Sequence, residues 1–511
     1  MSKSFRVSLV FASLVLGLSQ VAVAGGLVSQ TREAATNTAE TNRSSSLKRG
    51  KKKKKNKTSA PTIVVLGAYS QPTVAEPVSV GPVATSTTPV PPTAPAPDTR
   101  RTLNIAKTPG IRVAPIEDPP PANVASAGQL VISEFRLHGP NGAQDEYIEI
   151  ANVSGADHTV AALSGTGYGV AASDGVTRCS IPNGTVIPNK GHYLCVNSVG
   201  HSVAAYPAGN GTTATGDATY TLDIPDNAGI ALFNNNSAGG AYTLANRLDA
   251  VGSTDEANTL YKEGTGYPAI VPFAIDSAFY RDNCGKGGSI TTFGACPTGG
   301  LLKDTNNNAA DFIFVDTNAT SAGAGQRLGT PGPENLSSPI ERTASFAVNL
   351  LDPCVPAQSP PNRVRDFTSD PPNNSAFGTL DIRRTVVNNT GGNVTRLRFR
   401  VVDITTYPTP SGIADLRPRS SNAVVVTVDR PPCGSGSSAV TVNGTTLEQW
   451  DPPGLGTASQ PNGGGFNSSM SAGTVTLATP LANGASIDLR FLLGVQETGS
   501  FKFYINVEAL P

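Results

Sequence analysis

Residues 128–152 read GQLVISEFRLHGPNGAQDEYIEIAN. Leu130–Leu137 and Glu146–Ile150 are strand-like runs, and His138–Asp145 between them is dense in turn formers. That order predicts a β-hairpin. An isolated hairpin is marginal in water, so its apolar face has to be covered by further strands. The chain offers them. Tyr168–Ala172, His192–Val196, Tyr220–Leu222, Gly229–Phe233, Arg247–Val251, Ala278–Tyr280 and Phe312–Val315 are short runs separated by Gly, Asn, Asp and Ser. No helical period persists for three turns, so residues 126–335 are predicted to form an all-β body.

A second β-rich unit is expected over residues 377–511, after a connector at residues 336–376. In Val394–Val401, Leu397, Phe399 and Val401 face one way and Arg396, Arg398 and Arg400 the other. The same alternation runs through Ile487, Leu489 and Phe491, through Phe501, Phe503, Ile505 and Val507, and through Val424, Val426 and Val428. These read as half-buried antiparallel strands. Glu497-Thr498-Gly499 is expected to close a hairpin with the last strand. The arginine stripe reads first as a solvated outer face, with an anionic-ligand site as the alternative. A chain of 511 residues is too long for one ordinary core. The expected architecture is therefore all-β, two β-sandwich domains after a disordered basic and Pro-rich N-terminal region.

Residues 1–24 have the form of an export signal: Lys3 and Arg6, the apolar run Val7–Leu18, then Ala22-Val23-Ala24 as a cleavage pattern. Residues 25–60 hold ten Lys/Arg and two acids, whereas residues 61–511 hold 26 and 36. The basic charge concentrates in Lys48, Arg49, Lys51, Lys52, Lys53, Lys54, Lys55 and Lys57, which suits an anionic surface or polymer and would bind it in a salt-dependent way. Residues 61–125 carry fourteen prolines and read as a semi-rigid extended linker. The short apolar run Ile63–Leu66 inside it reads as incidental.

Six cysteines in an exported chain favour disulfides, and sequence alone allows 15 connectivities. Locality favours Cys179–Cys195, Cys284–Cys296 and Cys354–Cys433. No CxxC is present, which speaks against structural zinc.

LVISEF, EYIEIAN, GHYLCV, DNAGIALFN, RLDAVG, DTNNNAADF and GTPG occur in that order between residues 130 and 332. Taken together they resemble the lamin-tail domain, an immunoglobulin-like β-sandwich found in nuclear lamins and in exported bacterial proteins. The resemblance covers about two-fifths of the chain and implies the sandwich fold. This copy carries insertions at Ser198–Thr219 and Glu256–Pro272, where a binding site is most readily added. The second unit resembles, loosely, C-terminal sandwich modules of large exported bacterial proteins.

Glu134, Asp145, Glu146 and Glu149 gather in the opening hairpin. Structural roles are expected for them ahead of cation binding or acid–base work. Asp304, Asn306, Asn308 and Asp311 begin like a calcium loop, but Ala309 replaces the turn glycine and Val315 the bidentate glutamate. They stand as a calcium candidate against an Asx-rich turn. His138, His158, His192 and His201 show no ligand spacing, G-x-S-x-G is absent, and Gly165–Gly169 is not followed by a helix that would hold a phosphate. The N-x-S/T triplets at Asn152, Asn183, Asn318 and Asn443 are common enough by chance to carry no glycan reading.

The expected function is a non-catalytic, secreted or cell-surface protein presenting β-sandwich binding modules on a basic tether, with no catalytic residues and no cofactor beyond possible calcium. Its expected partners are an anionic envelope polymer or cell surface and a protein or glycan ligand. The alternatives are a secreted metal-dependent hydrolase of the nuclease or phosphoesterase type, and a nonspecific nucleic-acid binder acting through the lysine tract.

Overall fold

A computed structural model describes residues 125–209, 211–237, 242–282, 302–316, 327–404, 414–448 and 465–511, together with the backbone of residues 63–64. The expected export signal, the lysine tract, nearly all of the Pro-rich linker and the expected Cys284–Cys296 pair lie outside them. The described chain is almost entirely β. Its one α-helical turn is Asn308–Asp311, and no described helix is long and apolar enough to cross a membrane.

The opening hairpin forms as Leu130–Arg136 paired antiparallel with Tyr147–Asn152. A bulge near Ser133 turns Ile132 and Phe135 to the same face. The pair sits at the centre of a seven-stranded sheet. Ala218–Tyr220 and His192–Asn197 extend it on one side, and Ser277–Arg281, Phe312–Asp316 and Arg327–Leu328 on the other. A four-stranded sheet of Arg247–Val251, Ile230–Phe233, Gly167–Ala172 and Thr177–Pro182 faces it. Both sheets contribute to one apolar cluster, including Ile132, Phe135, Ile148, Ile150, Val170, Ile181, Ile230 and Leu232. The disulfide Cys179–Cys195 joins the four-stranded sheet to the seven-stranded one across this core. It does more than close the short loop the sequence suggested. Gly229 lets the 256–272 insertion press close, since a Cβ there would lie 2.2 Å from the Tyr261 carbonyl.

The C-terminal half holds two further sheets. In one, Phe501–Leu510 lies beside Arg396–Ile404, followed by Ser469–Ser471 and Thr446–Glu448. In the other, Thr379–Asn388 pairs with Ser486–Glu497 over nine residues, and Val424–Asp429 and Ser437–Gly444 form the far edge. Leu397, Phe399, Val401, Phe491, Leu493, Phe503 and Val507 all enter the core between them. Three expectations are corrected. Ser486–Glu497 and Phe501–Leu510 do not form a hairpin. The first is already paired with Thr379–Asn388 and Asp415–Arg419, so the chain crosses over the core into the opposite sheet. Residues 336–376 supply the strands Ile340–Glu341, Phe346–Leu350 and Arg363–Asp366 to these sheets, instead of a bare connection. Ile63–Val64 pairs parallel with Phe501–Lys502, so that apolar run is not incidental. Cys354–Cys433 ties the 351–362 segment to the turn of the Val424–Gly444 hairpin.

One device recurs in both halves. At the end of Tyr147–Asn152, Asn152 accepts from the Ser154 N–H (3.0 Å) and hydroxyl (2.7 Å), and its Nδ2 donates to the Ala156 and Ile187 carbonyls, both at 2.8 Å. At the end of Thr379–Asn388, Asn388 does the same with the Thr390 N–H (2.9 Å) and hydroxyl (2.7 Å) and with the Gly392 (2.9 Å) and Leu481 (2.8 Å) carbonyls. A glycine follows in each, Gly155 at φ +87° and Gly391 at φ +88°. Each asparagine is fully buried and spends its amide closing a strand end.

Candidate functional site

The face of the seven-stranded sheet that points away from its own core is not solvated. Glu134, Glu149 and His192 alternate with Phe135, Ile148 and Tyr193 and therefore stand on that outer face. The arginine stripe of Arg396–Ile404 meets them there. This corrects both readings of the stripe: Arg398 is wholly buried and Arg400 nearly so, and their partners are carboxylates of the same chain. Arg398 Nε donates to Glu508 (2.7 Å), its other nitrogens reach Glu334 and the Pro207 carbonyl, and Arg400 binds Glu508 (3.0 Å) and Glu334 (2.9 Å). Arg396 pairs with Glu448. Burial works against the charge on Glu508, but Arg398 and Arg400 overcome it and hold its pKa below the usual range.

A cavity of about 80 Å³ opens within this joint, lined among others by Glu134, Glu149, His192, Glu334, Arg400 and Asn467. One ligand atom each of Glu149, His192 and Glu334 lies within 4.8 Å of the others. The ring nitrogens of His192 stand 3.2 Å from Glu334 Oε2 and 3.7 Å from Glu149 Oε1. The nearer contact is off the line of a hydrogen bond, for Nδ1 has no hydrogen-bond partner. Burial, then the Arg400 charge, push the His192 pKa down to about 3, so the ring is neutral at pH 7. Burial, then Glu134, push Glu149 well above the ordinary carboxylate range.

The oxygens of the hairpin carboxylates are nevertheless occupied. Glu134 Oε1 accepts from Tyr147 Oη (2.6 Å) and Gly332 N–H (2.9 Å), and its Oε2 from Asn467 (3.1 Å). Glu149 accepts from Ser133 Oγ (2.6 Å) and the Glu334 N–H (2.6 Å). Asp145 accepts from the Ser202 and Asn141 N–H groups, and Glu146 from Ile224 N–H (2.7 Å) and Asn197 Nδ2 (2.8 Å). These contacts fasten loops and the 329–335 exit segment to the hairpin.

Glu146 makes a pH test. Burial raises its pKa from 4.5 to about 7, against hydrogen bonds, those from Asn197 and Ile224 among them, that lower it. Between those values the folded chain holds a proton that the unfolded chain releases, so this group's stabilisation falls as pH rises through 7. Glu146→Gln removes the titration. Urea midpoints from pH 5 to 8 are expected to show the wild type losing stability relative to the variant. Parallel profiles would contradict the assignment.

The insertion Ser198–Thr219 is not a free loop. Val203, Tyr206, Ala208 and Ala214 pack on Tyr147, Leu194 and Val196. Tyr206 Oη donates to Ser469 (2.9 Å), and the Gly209 carbonyl accepts from Arg396 (3.2 Å). The Glu256–Pro272 insertion instead closes on the 304–311 loop: Asn308 Oδ1 accepts from Glu263 N–H (2.9 Å) and Gly252 N–H (3.0 Å). Of the four calcium candidates, Asn308 is thus spent on backbone. Asp311 is spent on Thr305 and Asn307, and Asn306 is exposed at φ +54°. Asp304 alone faces other carboxylates: one oxygen each of Asp249, Glu263 and Asp304 lies within 4.8 Å of the others. Nothing in the sequence spacing pairs Asp249 and Glu263 with Asp304. His138 pairs with Asp226 (3.1 Å), His158 contacts Tyr168 (3.1 Å) and His201 contacts the Ala214 carbonyl (2.8 Å). No protein-family model, curated protein or solved structure matches the chain.

Proposed function

We propose that the chain is an exported, non-catalytic protein whose two β-sandwich halves, the first of the lamin-tail type, are carried on a basic, Pro-rich tether that engages an anionic surface. The observation that carries this reading is the pair of disulfides, Cys179–Cys195 and Cys354–Cys433, in a chain that opens with an export-type segment. The cross-core placement of Cys179–Cys195 agrees with an immunoglobulin-like sandwich, in which a disulfide links the two sheets. Internal use of the hairpin carboxylates supports a scaffold role for them. The tether's part is tested by titrating the mature chain, and a version starting at Ser126, against isolated cell envelopes over a range of salt. Loss of binding in the shortened chain, with a steep salt dependence in the mature one, is the expected result. Equal, salt-insensitive binding by both would place the contact on the sandwiches and refute the tether.

The Glu149–His192–Glu334 group favours a second reading, a metal-dependent hydrolase, because one histidine with two carboxylates beside a cavity is a ligand set for a transition metal. The arginines on Glu334 weigh against it. Manganese- or zinc-dependent cleavage of a phosphodiester probe, abolished by Glu149→Gln with the fold intact, would make this the better reading.

A further inference from the structure

We infer that Asp249, Glu263 and Asp304 form a calcium site that pins the 256–272 insertion to the Arg247–Val251 strand and to the loop before the Asn308–Asp311 turn. Each of the first two carboxylates has one oxygen anchored and one left over. Asp249 Oδ2 accepts from Arg281 (2.6 Å) and from the Ile132 N–H (2.6 Å), whereas its Oδ1 is buried without a hydrogen-bond partner. Glu263 Oε1 accepts from Arg247 (3.2 Å), whereas its Oε2 is likewise buried and unpartnered. The two side chains are only 1 % and 5 % exposed, so water does not satisfy these oxygens from bulk. Leaving a carboxylate oxygen buried and unpaired is costly, and a cation removes that cost.

Charge leads to the same place. Arg281 also stands 3.4 Å from Asp304 and 3.7 Å from Asp311, so two guanidinium groups, Arg281 and Arg247, serve four carboxylates. With all four ionised the excess is two negative charges, the charge of one divalent ion; without an ion, burial and then Asp249 and Asp304 raise the Glu263 pKa to about 8, so the full charge is reached only as the ion binds. The donors are all oxygen, which selects a hard cation. Oxygens within 4.8 Å of one another can share an ion at the 2.3–2.6 Å typical of calcium. Asp304, 18 % exposed, gives the site a wet side from which water completes the irregular coordination that calcium accepts and magnesium does not. The ion would join three separate pieces of chain. Asp249 belongs to the Arg247–Val251 strand, Glu263 to the insertion, and Asp304 to the loop before the Asn308–Asp311 turn. This inference stands apart from the tether reading, since neither needs the other.

The test is isothermal titration of the EDTA-stripped mature protein with calcium chloride, with magnesium chloride as comparison, and thermal melts in calcium and in EDTA. The expected result is saturable binding near one ion per chain at about 10⁻⁴–10⁻³ M, the range of extracellular modules, with magnesium at least tenfold weaker. Five millimolar calcium should raise Tm by about 2–4 °C. Glu263→Gln should weaken binding tenfold or more and remove the Tm shift, while Asp370→Asn, on a part-exposed carboxylate of the C-terminal half outside both clusters, should leave both unchanged. If Glu263→Gln does not fold, Asp304→Asn, on the wet side, gives the same readout. No saturable calcium binding by the wild type, or binding undiminished in these variants, overturns the site.

Discussion

Replacing Arg398 with alanine is expected to destabilise the protein by about 3–5 kcal/mol, the largest effect of any single surface-strand substitution we foresee. The alternating pattern of Arg396–Ile404 marks Arg398 as a residue of the polar face, and such residues ordinarily cost little to remove. Here that face is covered. Arg398 is completely buried and joins Glu508, Glu334 and the Pro207 carbonyl while lying 5.9 Å from the Tyr206 ring. Its removal leaves Arg400 to balance two buried glutamates, and the penalty is that of an uncompensated charge away from water. Arg430→Ala serves as the contrast. Its partner contact with Asp488 is 2.7 Å, but its side chain is 40 % exposed, so its loss should cost about 1 kcal/mol or less. Urea unfolding of the two variants at one pH decides the matter, and similar midpoints would show that the joint is not held by buried charge.

Removing the Cys354–Cys433 disulfide by a double alanine substitution is the second large effect. Seventy-nine residues separate the cysteines, and chain entropy for such a loop gives about 4.5 kcal/mol, against about 3 for the sixteen-residue separation of Cys179–Cys195. The local setting adds to the difference. The Val424–Gly444 hairpin rests on a small cluster of Leu351, Val428 and Val442, and Val425 is largely exposed. Few apolar contacts hold that edge once the cross-link is gone. Hydrogen exchange should therefore speed up first in residues 424–444, before the inter-sheet core. Unchanged exchange there, or an equal loss from removing Cys179–Cys195, would contradict this account.

Alternation made the strands legible. Leu397, Phe399 and Val401, like Phe501, Phe503 and Val507, enter the core as their spacing requires. The opening hairpin lies within a residue or two of its expected bounds. Period two says which residues share a face but not what covers it, so the sequence alone leaves the Arg396, Arg398 and Arg400 stripe looking solvated, whereas Arg398 and Arg400 are buried. A three-residue loop likewise allows either a hairpin or a passage between sheets. The choice after Glu497 was made by Thr379–Asn388, a partner more than a hundred residues away. The candidate cation site was half legible. Asp304 stood out in an Asx-rich run, but Asp249 reads as an ordinary strand residue and Glu263 as a loop charge. They meet only because Asn308, a residue expected as a ligand, instead binds the backbone that carries Glu263.

The buried asparagines at the two matching strand ends have a consequence for biosynthesis. Asn152-Val153-Ser154 and Asn388-Asn389-Thr390 both satisfy the acceptor rule for N-linked sugar. In a secretory pathway with the oligosaccharide-transferring enzyme, sugar is added while the chain is still unfolded, before either side chain is hidden. A sugar on Nδ2 would remove a donor that binds two carbonyls and would place a bulky group where the fold leaves no space. Each half would be stopped at the same structural point. Production in a glycosylating host therefore calls for Ser154→Ala and Thr390→Val, which spare the asparagines.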